Sequence, residues 1–468
     1  MTFVVKRGGT MHSQAAGTLS WLGLAAYFSV ILTGCNGNGS SKTIASQTTN
    51  APQLYLAAGV GNLQTYLIDH SADQFIVTSY STNGGTVQDS GNISQLSSGL
   101  FDLDITYFPG EFLSGPPLTA SWEVEIPGQA ALAELEATDA VQTSTSFAPL
   151  VPIQSCPSIT TSESFQFVTI PKRLNTLSSV NGAGWNPQLE TAYGSADVVT
   201  NGSAVQFSNI SQHTLPAVNG GAPGTPVNPA SGSTTGACSP TFFGETISVP
   251  SAVTIVNPGS SNPESISPSA TIGIGPGGFL LEDSGSSKGS GNGSGTPYEN
   301  VLGAGYGAIG IVVPSSALTT SNVTAAQYQG ILYGAASGST ASLSSSGFRL
   351  IGSFGYPNLE TACPALPAPS DSTIIYGGEF ANNDPSANSH GNCDLAIDLG
   401  TQDSSNDGLY PAATVYVSAS FPYNSIGTSY SFPAVAVAGQ IDEKYAIFLI
   451  GMDTAGSQPW GIYLLQSN

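Results

Sequence analysis

Basic residues are scarce in this sequence. Its 468 residues include 8 Lys and Arg against 30 Asp and Glu, which gives a formal net charge of −22. Such a polyanion is repelled by nucleic acid phosphates and by anionic lipid headgroups, so binding to either by charge is excluded. Cationic partners and divalent metals remain compatible with this charge. Because only 8% of the residues are charged, we expect a surface made mostly of Ser, Thr, Asn, Gln and Gly.

Long stretches without a helix breaker are also rare, because the chain contains 56 Gly and 31 Pro. The best helical candidates are short and lie at 129–138 and near 325–329. The dominant pattern is instead an alternation with period two, which is typical of strands with one face in a core and one in water. Three stretches show it, around Phe101–Tyr107, Trp122–Ile126 and Asp394–Leu399.

Two apolar runs do not alternate. They cover residues 445–450 and 462–465. Continuous apolar runs of this length predict strands that are buried on both faces, near the centre of the molecule. A strand over 460–466 that lies centrally favours a barrel that is closed by its last strand over an open sandwich.

The predicted fold is all-β and antiparallel, with two barrel-like or sandwich-like meander units, long polar loops and very little helix. The first β unit is expected at 53–140 and the larger C-terminal β domain at 164–468. Residues 141–163, which include three prolines, are expected to form a connector.

The first 34 residues have the features of a secretory signal. Lys6 and Arg7 precede an apolar run at 21–32, and small residues follow it. The run has about a dozen residues, whereas about 20 are needed to cross a bilayer. We therefore predict that residues 1–34 are removed. The removed part carries two bases and no acid, so the mature charge becomes about −24.

The residues Leu32-Thr33-Gly34-Cys35 resemble the lipobox of bacterial lipoproteins. The resemblance implies cleavage before Cys35, lipidation of that cysteine with acyl chains such as palmitate, and anchoring to a membrane. Residues 35–52 are then a flexible tether. The residue after the cysteine is Asn36 and not Asp. By analogy with lipoprotein sorting, this favours the outer membrane over the inner membrane and leaves open which leaflet of that membrane carries the protein. The remaining chain resembles β-rich bacterial lipoproteins, which implies no particular function.

Four further cysteines are present, and an even number in an exported protein indicates disulfides. Three pairings are open, and proximity in the sequence favours Cys156 with Cys238 and Cys363 with Cys393. No two cysteines have the CxxC spacing of redox and zinc sites.

The best candidate for a ligand site is a calcium loop. Asp403, Ser405, Asp407 and Gly408 match the first half of an EF-hand loop, in which oxygens at alternate positions bind one hard cation. Thr414 stands where the EF-hand has a bidentate Glu. A polar hairpin loop is the alternative interpretation, and no other cofactor is predicted.

Three acidic motifs resemble catalytic sites, but each has a plainer explanation. Asp69-His70-Ser71 contains the residue types of a triad, yet neighbours in a strand face opposite ways. Asp89 and Asp283 each begin an Asp-Ser-Gly, as in aspartic proteases, although this tripeptide is also common in turns. Asp102 and Asp104 could serve glycoside hydrolysis or could simply face solvent.

Three glycine motifs are explained in the same way. Residues 285–289 fit the nucleophile elbow of serine hydrolases but lie in a Gly/Ser-rich loop. Residues 273–278 and 305–310 fit a dinucleotide-binding pattern, which requires a helix after the glycines. We predict bends or bulges in curved strands instead.

We therefore assign no catalytic residue from the sequence. The leading hypothesis is a membrane-anchored, extracytoplasmic lipoprotein that acts as a non-catalytic structural, binding or interaction module of the cell envelope. Its partners would be an envelope protein, a glycan or a small apolar ligand. The alternatives are a secreted polysaccharide or peptide hydrolase with dispersed carboxylates, and a barrel that carries an apolar ligand.

Overall fold

A computed structural model of the chain describes about half of its residues, and residues 48–468 form one compact unit. The described residues are 52–58, 63–80, 86–97, 99–107, 122–126, 130–138, 143–152, 159–169, 192–201, 203–214, 232–241, 244–250, 255–256, 265–266, 269–275, 278–283, 307–313, 318–334, 349–355, 373–378, 394–419, 421, 427–441, 443–452 and 459–467.

The first eight strands form a closed antiparallel barrel, barrel 1, in simple up-and-down order. The first strand closes it by pairing Leu56 with Val151 of the eighth. The strands are β1 (Gln53–Ala58), β2 (Leu63–Asp69), β3 (Gln74–Tyr80), β4 (Thr86–Ser97), β5 (Leu100–Tyr107), β6 (Trp122–Ile126), β7 (Ala130–Thr138) and β8 (Thr143–Pro152).

A second closed barrel, barrel 2, follows in the same up-and-down order, with a two-stranded hairpin, β14 and β15, inserted in one connection. Its last strand pairs with its first, for example Ile309 with Val168. The strands are β9 (Glu163–Thr169), β10 (Ala192–Asn201), β11 (Ala204–Thr214), β12 (Gly232–Thr241), β13 (Gly244–Pro250), β14 (Ile255–Val256), β15 (Ser265–Ile266), β16 (Ser269–Gly275), β17 (Gly278–Asp283) and β18 (Gly307–Val312).

A short helix, α1 (Thr320–Ala325), leads into a third closed barrel, barrel 3. The helix contributes Val323 to the interior of this barrel. The strands are β19 (Tyr328–Gly334), β20 (Arg349–Phe354), β21 (Ile374–Gly378), β22 (Leu395–Asp398), β23 (Leu409–Val417), β24 (Tyr430–Ile441), β25 (Lys444–Met452) and β26 (Pro459–Gln466).

Each barrel has its own interior cluster of apolar side chains. The interior cluster of barrel 3 contains aromatic rings such as Phe354, Phe432 and Trp460 packed among aliphatic side chains. Barrel 1 is filled around Tyr55, Tyr66 and other side chains from six strands. The smaller described cluster of barrel 2 contains Phe165, Val198, Val205 and Phe207.

A fourth cluster joins the three barrels from their outer faces, and we call it the central core. Barrel 1 contacts barrel 2 through β1 and β8 against β16 and β17. Barrel 1 contacts barrel 3 through β6 and β7 against β19 and β26, and barrel 2 contacts barrel 3 through β9 and β18 against β24 and β25. The central core consists of Leu56, Leu100, Ile126, Val151, Val168, Tyr193, Ile309, Ile311, Ile331, Leu409, Val435, Val437, Ile441, Ala446, Phe448, Ile450, Tyr463 and Leu465.

A glycine allows barrels 2 and 3 to approach closely. A Cβ at Gly439 of β24 would overlap the carbonyl oxygen of Val312 in β18 and lie 2.7 Å from Ile311 Cγ1. The lack of a side chain at this position therefore permits direct contact between the two barrel walls.

The central core confirms the prediction of two strands buried on both faces. In β25, Ala446, Phe448 and Ile450 face the central core, whereas Ile447 and Leu449 face the interior of barrel 3. All five are at most 1% exposed. The predicted closure by the last strand is also confirmed, because β26 pairs with β19.

The all-β, antiparallel class is confirmed, but the number and limits of the units differ from those predicted. The described strands form three barrels where the sequence predicted two units. β8, which lies within the predicted connector 141–163, is the strand that closes barrel 1. The region 164–468, predicted as one larger domain, holds most of barrel 2 and all of barrel 3.

One helix prediction was wrong. Residues 130–138 have a helix-favouring sequence rich in Ala, Leu and Glu, yet they form β7. β7 pairs with β6 on one side and β8 on the other. These two ladders outweigh the weak intrinsic preference for helix. The helix near 325–329 is found slightly earlier, at α1.

The alternation rule held in barrel 1 and failed in part in barrel 3. Phe101 and Leu103 are buried while Asp104 is exposed, as predicted. In β22 the predicted solvent face is not in water, because Ala396 is fully buried and the adjoining Asp394 is only 7% exposed. Ala396 packs with Ile374, Tyr376 and Tyr416 on the outside of barrel 3.

The predicted signal, Cys35 and most of the predicted tether lie outside the described residues. In the part of the chain that the structure describes, no helix has the length and apolar character needed to span a bilayer.

We predict that Phe448→Ala lowers the free energy of unfolding by about 3–5 kcal/mol, because it removes a ring from the central core. Phe432→Ala, inside barrel 3, should cost a similar amount. Ser431→Ala, at an exposed position of β24, should change it by less than about 0.5 kcal/mol. Urea unfolding measures all three. A Phe448→Ala effect close to that of Ser431→Ala would show that the outer face of β25 is not buried.

Candidate functional site

A carboxyl group with one unpaired oxygen lies inside barrel 1. Asp89 of β4 pairs in register with Val77 of β3, whose side chain belongs to the interior cluster. Directly paired residues share a face of the sheet, so Asp89 faces the barrel interior. Its Oδ1 is buried and has no hydrogen-bond partner. The sequence had suggested a turn at this Asp-Ser-Gly, but the structure places it within a strand.

Burial raises the pKa of Asp89 from 3.8 to about 6. The cause is desolvation, which disfavours the charged form of a carboxyl group. Asp283, the other Asp-Ser-Gly residue, ends β17 in barrel 2. The two residues of the protease-like pair therefore belong to different barrels.

The Asp69-His70-Ser71 segment lies where β2 ends and a turn begins. Asp69 ends β2, and its Oδ1 accepts hydrogen bonds from the Ser71 hydroxyl at 2.6 Å and from the Ser71 N–H at 3.0 Å. His70 instead packs on Phe101, with ring centroids 4.5 Å apart. The serine thus bonds to the aspartate and not to the histidine, so these three residues do not form the relay of a triad.

Asp102 and Asp104 lie on the outward face of β5, opposite the interior residues Phe101 and Leu103. Desolvation and the charge of Asp104 raise the pKa of Asp102. Asp104 is therefore exposed, as an amphipathic strand predicts, whereas Asp102 is partly buried.

A serine–histidine pair that the sequence analysis missed lies on β11. Ser211 Oγ is 2.9 Å from His213 Nε2, and the His213 ring stacks on Tyr193 with centroids 5.4 Å apart. The spacing of two between Ser211 and His213 is the sequence signal that places both side chains on one face of the strand. The His213 Nδ1 is buried without a hydrogen-bond partner, so no described carboxylate orients the imidazole as a triad requires.

The candidate calcium loop, 403–408, connects β22 and β23. Asp403 Oδ1 accepts hydrogen bonds from the backbone N–H groups of Ser405 at 2.8 Å and Asn406 at 2.9 Å. Gly408 has a φ of +78°, which allows the sharp turn, and its carbonyl accepts from the Ala438 N–H of β24 at 2.7 Å. The carboxylate of Asp403 therefore shapes the loop, and Asp407 is exposed.

The structure describes some of the residues in the metal-binding and disulfide predictions. No group of three or more His, Cys, Asp or Glu side chains in the described residues could hold a metal ion. A calcium site in this region would therefore need carbonyl and amide oxygens as well. Cys238 in β12 is disulfide-bonded, while Cys156, Cys363 and Cys393 lie outside the described residues. The predicted pairing stays a prediction.

The connections of barrel 2 differ sharply between its two ends. Successive strands are antiparallel, so connections alternate between the ends of the barrel. At one end all three are two-residue turns, at 202–203, 242–243 and 276–277. At the other end, which we call the long-loop end, they are 170–191, 215–231, 251–268 and 284–306. The Gly-rich pattern at 273–278 spans one of the tight turns, and no helix follows it.

No protein family and no curated protein matches this chain. Among solved structures, it is similar to a mutant of the vaccine antigen transferrin-binding protein B from Haemophilus parasuis Hp5, at 7% identity over 86% of this chain and 65% of that one. It is also similar to isotype 1 transferrin-binding protein B from serogroup B Neisseria meningitidis, at 11% identity over 87% and 66%. Both TM-scores are 0.22.

The chain spans about two thirds of the length of those two proteins. At these TM-scores the likeness carries no argument about function. The class of this protein is therefore defined by its own architecture, as an all-β protein of three closed eight-stranded barrels around a shared apolar core.

We predict that Asp89→Asn stabilises the protein at pH 7.5. The folded chain holds the Asp89 proton more tightly than the unfolded chain does. The wild-type stability therefore falls as the pH rises from about 4 to about 6 and is then level. Asn removes this loss, so the variant should melt at a higher temperature at pH 7.5 and at nearly the same temperature at pH 4. Asp73→Asn, at an exposed turn position between β2 and β3, is the control and should show no such pH-dependent difference. An equal effect of Asp89→Asn at both pH values would contradict the assignment.

Proposed function

We propose that the protein is an extracytoplasmic lipoprotein that acts as a non-catalytic binding or interaction module of the cell envelope, with the long-loop end of barrel 2 as its contact surface. The observation that carries this proposal is the grouping of all long connections of barrel 2 at one end. Recognition residues often lie on loops that a rigid scaffold positions.

The scaffold supports this role. β9 and β18, which begin or end beside the long connections, also belong to the central core through Val168, Ile309 and Ile311. Their positions are therefore set by packing against barrel 3. The starting and ending points of the loops are held by close-packed strands.

The composition of the long connections suggests the chemistry of the partner. Together they contain three bases, Lys172, Arg173 and Lys288, and three acids, Glu190, Glu264 and Glu299. They are thus neutral in a strongly acidic chain and rich in Gly, Ser, Asn and Pro. We propose a polar partner recognised mainly by hydrogen bonds, such as an envelope glycan or an uncharged protein surface.

The alternative of an apolar carrier has less support. The described interior of barrel 3 is filled by packed side chains, with Tyr328, Leu332, Phe354 and Trp460 at most 3% exposed. A barrel with a filled interior has no space for an apolar ligand. The hydrolase alternative is supported by no described arrangement of residues.

The contact surface can be tested by photo-crosslinking in intact cells. A photoreactive amino acid at Lys288, in 284–306, should yield adducts with an envelope component. The same amino acid at Phe243, in the turn 242–243 at the opposite end, is the matched control and should yield none. Adducts from both positions, or from Phe243 alone, would contradict the proposed surface, and so would their absence at both.

Anchoring is tested independently at Cys35. Mass spectrometry of the natural protein should find an N-terminus at Cys35 that carries acyl chains, because the lipobox resemblance implies cleavage before it. Cys35→Ser should lack them. Asn36→Asp should stay lipidated and move from the outer to the inner membrane fraction. An unprocessed N-terminus in the natural protein would overturn the proposed anchor and export.

A further inference from the structure

The loop between β22 and β23 lies against barrel 2 through one buried amide. Gln166 of β9 lies next to central-core residue Val168 on the same strand face, and it is only 3% exposed. Its Nε2 is 3.4 Å from the carbonyl oxygen of Asp407. Gln166 thus links barrel 2 to the candidate calcium loop of barrel 3.

The hydrogen bonding of this amide is unsatisfactory. Gln166 Oε1 is buried and has no hydrogen-bond partner. Leaving such an oxygen unpaired costs about 1–3 kcal/mol. The 3.4 Å contact of its Nε2 is also longer than the usual 2.7–3.2 Å of an N–H···O hydrogen bond. A buried amide with one unpaired end and one weak bond calls for an explanation, such as a bound water or ion.

A second amide in the loop supports this reading. Gln402 is satisfied at both ends when its nitrogen donates to the Leu318 carbonyl at 2.9 Å and its oxygen accepts from the Gly408 N–H at 2.8 Å. In that orientation its oxygen occupies the position 3.5 Å from Asp407 Oδ1. The Asp407 carboxylate then faces an oxygen and not a donor.

The spacing of these atoms matches a divalent cation. Two oxygens on neighbouring coordination positions, each about 2.4 Å from one calcium ion, are about 3.4 Å apart. The contacts of Asp407 with Gln166 and Gln402, at 3.4 and 3.5 Å, have this length. Carboxylate, amide and backbone carbonyl oxygens are also the ligands that calcium prefers.

We propose that a calcium ion binds at Asp407 and connects barrel 3 to barrel 2. Its ligands would be the Asp407 carboxylate and carbonyl oxygen, and Gln166 Oε1 after the amide turns over, with Gln402 Oε1 and water completing the shell. The amide turn leaves the shape of the side chain unchanged. Asp403 shapes the loop, and Ser405 is not required as a ligand. The proposal is independent of the function proposed above.

The test uses the full-length protein, purified in non-ionic detergent and freed of metal with a chelator. Titration calorimetry with calcium chloride should show one saturable site. Saturating calcium should raise the melting midpoint by about 2–5 °C. Asp407→Asn and Gln166→Leu should each weaken calcium binding at least about tenfold. Asp104→Asn removes an equal charge from an exposed position in barrel 1 and should bind calcium like the wild type.

A variant that adds a charge distinguishes a bound ion from a structural water as the partner of Gln166. Gln166→Glu places a carboxylate at the buried position, so its melting midpoint should fall in chelator and recover with calcium. No saturable calcium binding by the wild type would overturn the proposal. An undiminished calcium shift in Asp407→Asn would also overturn it, because the ion would then bind elsewhere on the acidic surface. A Gln166→Glu midpoint that calcium does not restore would contradict the role of Gln166.

Discussion

The fold depends on the burial of strands from both sides. An ordinary small barrel buries its inward face and leaves the outward face in water. Here the outward faces of β24, β25 and β26 bury aliphatic and aromatic side chains such as Val437, Phe448 and Leu465 in the central core. A single barrel would expose this surface, at a cost of about 25 cal/mol for each Å². The three barrels are therefore held together by the same apolar burial that fills each of them.

Because apolar burial holds the barrels together, the fold needs few ion pairs for its stability. Polar groups affect the stability mainly where they are buried. The described chain is stabilised by strand pairing and apolar packing. Acids such as Asp104 are exposed and Asp69 lies at a turn, whereas Asp394 is only 7% exposed. Polar side chains also occur inside the barrels and between them. Asp89 inside barrel 1 and Gln166 between barrels 2 and 3 are two such groups, and each has an oxygen without a partner. Burying a polar group without a partner is costly, so both positions lower the stability of the fold.

The sequence predicts burial correctly for strands with one face in a core and the other in solvent. The alternation of Phe101 and Leu103 with Asp104 was interpreted correctly, because one face of β5 meets a core and the other meets solvent. The same rule failed at Ala396, whose outward face is covered by other residues of barrel 3. It also failed at 130–138, because helix propensity is local while the ladders to β6 and β8 are formed by residues distant in the sequence.

By itself, the sequence determined the all-β class, the doubly buried strands at 445–450 and 462–465, and the Asp403–Gly408 turn. Each of these depends on a pattern of residues that are close together in the sequence. Only the tertiary structure decided that there are three barrels, that the long connections of barrel 2 share one end, and that Gln166 meets Asp407. Strand closure and contacts between barrels join residues as far apart as Gln166 and Asp407. The alternation of apolar and polar residues along one strand cannot predict such a contact, because the contact depends on how complete barrels pack.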